Sequence, residues 1–157
     1  MNLVLETVVP SAENGQDIAK FLSENFWTEH SLSGEQSPEI DWSRASAHIN
    51  HFMFEGIVYN VSDGDKIVGS IAVAPDKHWW SAEEYVGDGW FFVLPKYRNL
   101  KDQTSPSHLL IDAVIDYANK LQKPLIMGVF NLQGVERAKK LFDKKGFHQI
   151  GGMYYRN

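Results

Sequence analysis

Residues 85–130 run from one apolar strand, through an amphipathic helix, into a second apolar strand. No other feature of the chain constrains its fold as much. Tyr85–Leu94 is the most apolar strand and stops at Pro95. Residues 106–121 carry Leu109, Leu110, Ala113, Val114 and Tyr117 at helical spacing. Leu125–Phe130 is continuously apolar, as a strand covered on both faces would be. The first half is organised differently. Asp63-Gly64-Asp65 is a hairpin signal between Ile57–Val61 and Lys66–Ala74, and Pro75-Asp76 is expected to end the second strand. A sheet holding both a hairpin and a strand–helix–strand unit is mixed. The chain therefore reads as α+β, a mixed α/β fold with helices on both faces of the sheet.

The other elements fill in around this frame. Asn2–Val9 is a β-rich strand ended by Pro10. Ser11 is a good N-cap for a helix over 12–27, where Ile18, Phe21, Leu22 and Phe26 recur at helical spacing. Residues 28–40 form a loop. Asp41 or Ser43 caps a second helix over 42–54, which Gly56 ends. Residues 76–84 are an acidic and aromatic connection. A last helix, Gln133–Lys145, has Val135, Ala138, Leu141 and Phe142 on its apolar face and Gly146 in the C-cap place. Phe147–Tyr155 supplies one bent or two short final strands. The expected order is β-α-α-β-β-β-α-β-α-β(β), a sheet of six to seven strands in a single domain spanning 1–157.

Composition narrows the chemistry. With no cysteine, disulfides, thiolate metal sites and a cysteine nucleophile are excluded. No apolar run approaches the ~20 residues of a membrane span. Met1–Pro10 lacks the basic start and apolar core of a secretory leader, so a cytoplasmic location is expected. The net charge of −5 is uneven: residues 1–78 hold 12 acidic and 4 basic side chains, residues 79–157 hold 8 and 11. The second half suits an anionic ligand. It lacks the basic stripe that nucleic acid requires.

Two segments carry a family resemblance. Val93-Leu94-Pro95-Lys96-Tyr97-Arg98 is followed by a loop into a helix, and Ala138-Lys139-Lys140-Leu141-Phe142-Asp143-Lys144-Lys145-Gly146-Phe147 joins a helix to a strand. Together with the order of elements, they resemble the GCN5-related N-acetyltransferase family, over essentially the whole chain. The resemblance implies acetyl-CoA as co-substrate, held where two parallel strands splay apart. The backbone around Phe92 and Val93 would pair with the pantetheine amides and polarise the thioester carbonyl. The loop from Arg98 to Ser107 would cradle the pyrophosphate through Arg98, Lys101, Ser105, Ser107 and the N–H groups of the following helix. Asn131 would lie beside the cofactor.

The chain also departs from the family. Its 98–107 loop holds no glycine, and glycine is what permits a tight phosphate cradle. Thr104 and Ser105 offer caps and Pro106 suits the first helical position in its place. Phe142 stands where the family has a tyrosine acid, which leaves Tyr154 and Tyr155 as candidates, and the family's asparagine falls on Val135, with Asn131 the nearby residue that could take its place. The place of the base in some members of the family falls on Tyr85, which leaves Glu84 and Asp88 beside it either as candidate bases or as solvated carboxylates at the start of a strand; Gly87 and Gly89 flank Asp88 and suit a bulge that would turn it.

His48, His51 and Glu55 share one helix face. With no fourth ligand indicated they read as a polar face rather than a metal site, and no metal is expected. In the family this helix borders the acceptor cleft, so His51 is a candidate substrate contact. Trp79-Trp80 sits outside a clear strand. The pair either plugs the core beneath a loop or forms an exposed binding surface, which would make both substrate contacts. Two functions follow. One is an acyltransferase moving acetyl from acetyl-CoA to an amine of a small molecule or protein. The other is a catalytically inactive protein of the same fold serving as a binding or assembly subunit. Neither calls for nucleic acid or a membrane, and either accommodates a homodimer.

Overall fold

A computed structural model describes residues 1–27, 39–98, 100, 104–129, 132–154 and 156. The elements are β1 (Leu3–Thr7), α1 (Ala12–Phe21), α2 (Trp42–Glu55), β2 (Ile57–Asp63), β3 (Lys66–Lys77), β4 (Glu84–Val93), α3 (Pro106–Leu121), β5 (Leu125–Ile126) and α4 (Leu132–Lys144). The sheet order is β1-β2-β3-β4-β5. The first three pairings are antiparallel and β4–β5 is parallel, so the sheet is mixed.

Local chemistry sets the boundaries. Ser11 Oγ accepts the Asn14 N–H at 3.0 Å and starts α1, whose last residue leads into one π-helical turn, Leu22–Phe26. Asp41, rather than Ser43, caps α2, its carboxylate accepting the Arg44 N–H at 3.1 Å. Gly64 turns the β2–β3 hairpin at φ 62°, and Gly146 closes α4 at φ 87°.

The core lies on both sides of β3, whose residues Val68–Ala74 are all buried. Gly69 faces α3, close against Leu110. The opposite face of the sheet carries Trp90 and Phe92, whose rings meet Phe52 of α2 at 5.8 Å and Phe21 of α1 at 5.9 Å. The helices thus cover both faces. One polar bond is buried in this layer: Trp90 Nε1–H donates to Ser70 Oγ at 2.9 Å. Ser70→Ala would leave the indole N–H without its acceptor and is expected to cost about 1–3 kcal/mol in urea unfolding.

Three sequence expectations are corrected. First, β3 does not end at Pro75-Asp76 but runs on to Lys77. Its pairing with β2 stops at Ile57↔Val73, so Pro75 lies beyond β2, where a missing N–H breaks no ladder. Second, the apolar run Leu125–Phe130 yields a strand of only two residues, both half-buried rather than covered on two faces. Phe130 lies outside the described residues. Third, residues 147–154 form no strand, so the described residues hold five strands and not six to seven. The α4 cap turns Phe147 back onto Phe142, with ring centroids 5.2 Å apart, and Gly151-Gly152 then weakens any extended run.

Candidate active site

The centre of the site is an irregularity in β4. Ala72 pairs with Trp90 and Val73 with Asp88, so Gly89 is the extra residue of a β-bulge. Only glycine fits there, because a Cβ would stand 2.7 Å from the Phe52 ring. His48 of α2 places Nε2 3.3 Å from the Gly89 carbonyl, a bond that requires Nε2 to carry the proton. The bulge re-aims Asp88. β5 pairs with β4 only at Val86 and Gly87, and the two strands then part. The Asp88 carboxylate spans the gap, both oxygens lying 3.3 Å from the Gly128 N–H. Burial pushes its carboxyl up to about 6, against the opposing pull of the Gly128 N–H and its own backbone N–H.

Asp88 is shared by two cavities. The larger, about 400 Å³, runs along β4 from Asp88 through Phe92 and Val93 to Arg98, then to Ser105, Ser107 and His108 at the start of α3. The Leu94 N–H bonds to the Val68 carbonyl, so the Val93 carbonyl of the same peptide faces away from β3, into this cavity. There it accepts Arg98 Nε–H at 2.7 Å, while the guanidinium lies 4.9 Å from the centre of the Phe92 ring. Ser105 stands at the N-cap of α3, but its side chain makes no capping bond, contrary to the sequence expectation. The first N–H groups of α3 are thus not capped by that side chain, and they lie beside the cavity.

The far wall is α4, with Arg137, Lys140 and Leu141. Arg137 and Lys140 were not among the site candidates read from the sequence. Their spacing of three residues, one turn beyond Gly134, is the signal that was present.

The smaller cavity, about 140 Å³, lies across Asp88 from the first. His51 and Phe52 line it from α2, Ala74–Asp76 from β3, Tyr85 and Gly87 from β4, and Ile126 from β5. His51 therefore reaches the site, and His48 touches it through the bulge. Among the described residues no three His, Asp or Glu side chains gather as metal ligands. His48 and His51 pack instead on the Phe52 ring, at 4.8 and 5.2 Å.

The remaining candidates separate. Glu84 is drawn away to Lys123, 3.7 Å distant, and lines neither cavity. Trp79 and Trp80 are 92% and 66% exposed, which excludes the core-plug reading. Trp80 stacks on His78 at 4.5 Å, and His78 on Tyr85 at 4.6 Å, so an aromatic column reaches the rim of the smaller cavity. Tyr154 is exposed and lines neither cavity. Lys101, Asn131 and Tyr155 lie outside the described residues.

No family model matches the chain, and no curated protein matches it in sequence. Solved structures do match. A predicted acetyltransferase from Clostridium acetobutylicum, solved with acetyl-CoA, is similar at TM-score 0.69 and 11% identity, covering 99% of this chain and 96% of that one. An aminoglycoside acetyltransferase from an uncultured soil metagenomic sample is similar at TM-score 0.66 and 14% identity, covering 100% and 99%. A ribosomal-protein-alanine N-acetyltransferase from Brucella melitensis biovar Abortus 2308 is similar at TM-score 0.62 and 10% identity, covering 99% of each chain. The chain thus has the fold of the GCN5-related N-acetyltransferases, as its two motif segments implied.

Proposed function

We propose that this chain is an N-acetyltransferase that moves an acetyl group from acetyl-CoA to an amine, with residues 1–157 acting as one domain. The carrying observation is the meeting of two unlike cavities at Asp88. The larger is flanked by Arg98, Arg137, Lys140 and the N-terminus of α3, and suits a long anionic donor. The smaller holds Asp76 and Asp88 and suits a cationic acceptor. The open β4 edge beyond Gly87 offers backbone groups to an amide-bearing arm. The inactive-subunit reading draws on Phe142 and the glycine-free loop. Beyond the Asp88 bridge the parting strands border a cavity of about 400 Å³ rather than packed side chains, which favours the enzyme.

Bound acetyl-CoA would supply an activated thioester. The residues of the chain handle the proton. A lysine-like ammonium has a pKa of ~10.4 and must lose a proton before it can attack. Asp88 is placed to take it. Its raised pKa narrows the gap to the ammonium by about two units, or about 3 kcal/mol. The amine nitrogen then bonds to the acetyl carbon as the C–S bond breaks. The sulfur leaves with the electron pair and takes the second nitrogen proton. Asp88 returns its proton to solvent, leaving amide and thiol. Phe142 has no proton to give, so the thiol proton comes from the amine itself or from water.

Thermal unfolding with acetyl-CoA, and with ATP as a phosphate control, tests this reading. Ligand at ~100 times its dissociation constant adds ~2.7 kcal/mol. That corresponds to a rise of roughly 5–10 °C for a chain of this size. A shift with acetyl-CoA alone supports the proposal, and no shift at millimolar acetyl-CoA overturns it. Arg98→Ala removes a charged donor and is expected to weaken acetyl-CoA about tenfold in the same assay.

A further inference from the structure

We infer that the acceptor is an aliphatic diamine, or the diamine arm of a longer polyamine, held in the smaller cavity between Asp88 at its inner end and Asp76 at its mouth. This deepens the acetyl-transfer reading and rests on it only for the fate of the inner amine.

The cavity has two chemistries. Phe52, Ala74, Pro75 and Ile126 give methylenes apolar contact, while polar atoms, with His51, Tyr85 and the two carboxylates among the lining residues, form the larger share of the wall. Its carboxylates are separated along the strands. Asp76 pairs with Tyr85 and Val73 pairs with Asp88, so their backbones are offset by three strand residues, roughly 10 Å along the strands, and both line the one cavity. A volume of about 140 Å³ has room for a short alkyl chain with a terminal nitrogen. A monoamine would satisfy Asp88 and leave Asp76 to solvent. A diamine satisfies both.

The outer end is built to hold a cation in place. Tyr85 O–H donates to Asp76 Oδ2 at 3.4 Å, and Asp76 Oδ1 accepts the Lys77 N–H at 2.7 Å, so the carboxylate is oriented. The Tyr85 ring is packed between Gly87 and His78, and the column continues to the exposed Trp80. A second ammonium at the mouth thus meets the oriented Asp76 carboxylate beside the Tyr85 hydroxyl. Acetylation of the inner nitrogen removes one of the two charges, so the mono-acetylated product binds more weakly and leaves.

Isothermal titration of the whole protein with aliphatic diamines and monoamines of roughly three to eight carbons tests binding without acetyl-CoA. The expected result is a preferred diamine length, bound at least about tenfold more tightly than the monoamine of equal length. Asp76→Asn, at an exposed position, is expected to abolish that preference. Asp65→Asn removes the same charge at the distant β2–β3 turn and is expected to keep it. Equal binding of diamines and monoamines, or a preference that survives Asp76→Asn, would overturn the inference. Equal loss in both variants would also overturn it, by showing a general attraction to negative charge. The acetyl-CoA thermal shift is read separately, so failure of acetyl transfer and failure of diamine selection are distinguishable.

Discussion

Asp88→Asn is expected to lower kcat/KM for acetyl transfer by about 10²–10⁴-fold, the usual range for loss of a positioned base. The same variant is expected to make the protein more stable at neutral pH. The sign follows from the raised carboxyl. In the folded chain Asp88 titrates at about 6, whereas its ordinary value is 3.8. Below about pH 4 both folded and unfolded states are protonated and there is no penalty. Between about 4 and 6 the folded state keeps a proton that the unfolded state has released, so stability falls as pH rises. Above about 6 the loss is complete, at about 3 kcal/mol or less. Asparagine carries no such penalty and keeps an oxygen for the Gly128 N–H. Thermal unfolding at a series of pH values checks this. The variant should lose the downward slope between about pH 4 and 6 and melt several degrees higher near neutrality. A variant that is inactive and also less stable at neutral pH would mean that the carboxylate mainly holds β5 to β4. A gain in stability with a loss of rate is the expected signature of a site residue kept at a cost to the fold.

The largest stability effect is expected at Gly56. It joins α2 to β2 with φ −127° and ψ −139°, outside the regular helix and strand regions but at a negative φ, which does not by itself call for glycine. Space is what demands it. A Cβ there would overlap the Val73 carbonyl and stand 2.6 Å from Ala74 Cβ and 2.8 Å from Ala74 Cα. The Val73 carbonyl and Ala74 Cα are backbone atoms of β3 and the Ala74 Cβ is fixed to them; Val73 is paired with both β2 and β4 and Ala74 with β4, so none of the three can easily retreat. Gly56→Ala is expected to cost about 3–5 kcal/mol, at the upper end for overpacking, and to lower the melting temperature by roughly 10 °C or more. Gly64→Ala is the control. Gly64 has φ 62° with nothing within 4 Å of a Cβ, so the cost there is left-handed strain alone, about 1–2 kcal/mol. A similar loss at the two positions would disprove the steric account.

These two glycines also show what a sequence discloses. Gly64, between two aspartates and two alternating runs, is legible as a turn because turn chemistry is local. Gly56 is legible as a helix stop, but its reason lies in a strand 17 residues further on. The helices and the hairpin were readable because caps and apolar periodicity act within a few residues. The bulge was readable from Gly87 and Gly89, and with it the turning of Asp88. Choosing Asp88 over Glu84 was not, because it depends on Lys123 and Gly128, residues brought near only by the sheet. β5 was overestimated because an apolar run records affinity for the interior, not the length of a ladder. Arg137 and Lys140 were hidden because a cationic cavity wall and an ordinary solvated helix face have the same composition.

The brevity of β5 makes the two sides of the cleft mechanically unequal. The β4 side belongs to the sheet interior and cannot shift without disturbing the whole core. The other side, β5 with α4, is tied to the rest of the molecule by the rungs at Val86 and Gly87, the Val86 N–H on the Pro124 carbonyl, the Gly128 N–H on the Asp88 carboxylate, the ion pair of Lys145 with Asp112 of α3 at 2.7 Å, and the packing of Leu125, Leu141 and Phe142 on the core. Local opening follows the thinnest connection. A cleft with one wall inside the sheet and the other at its edge opens first, where local opening occurs, on the edge side.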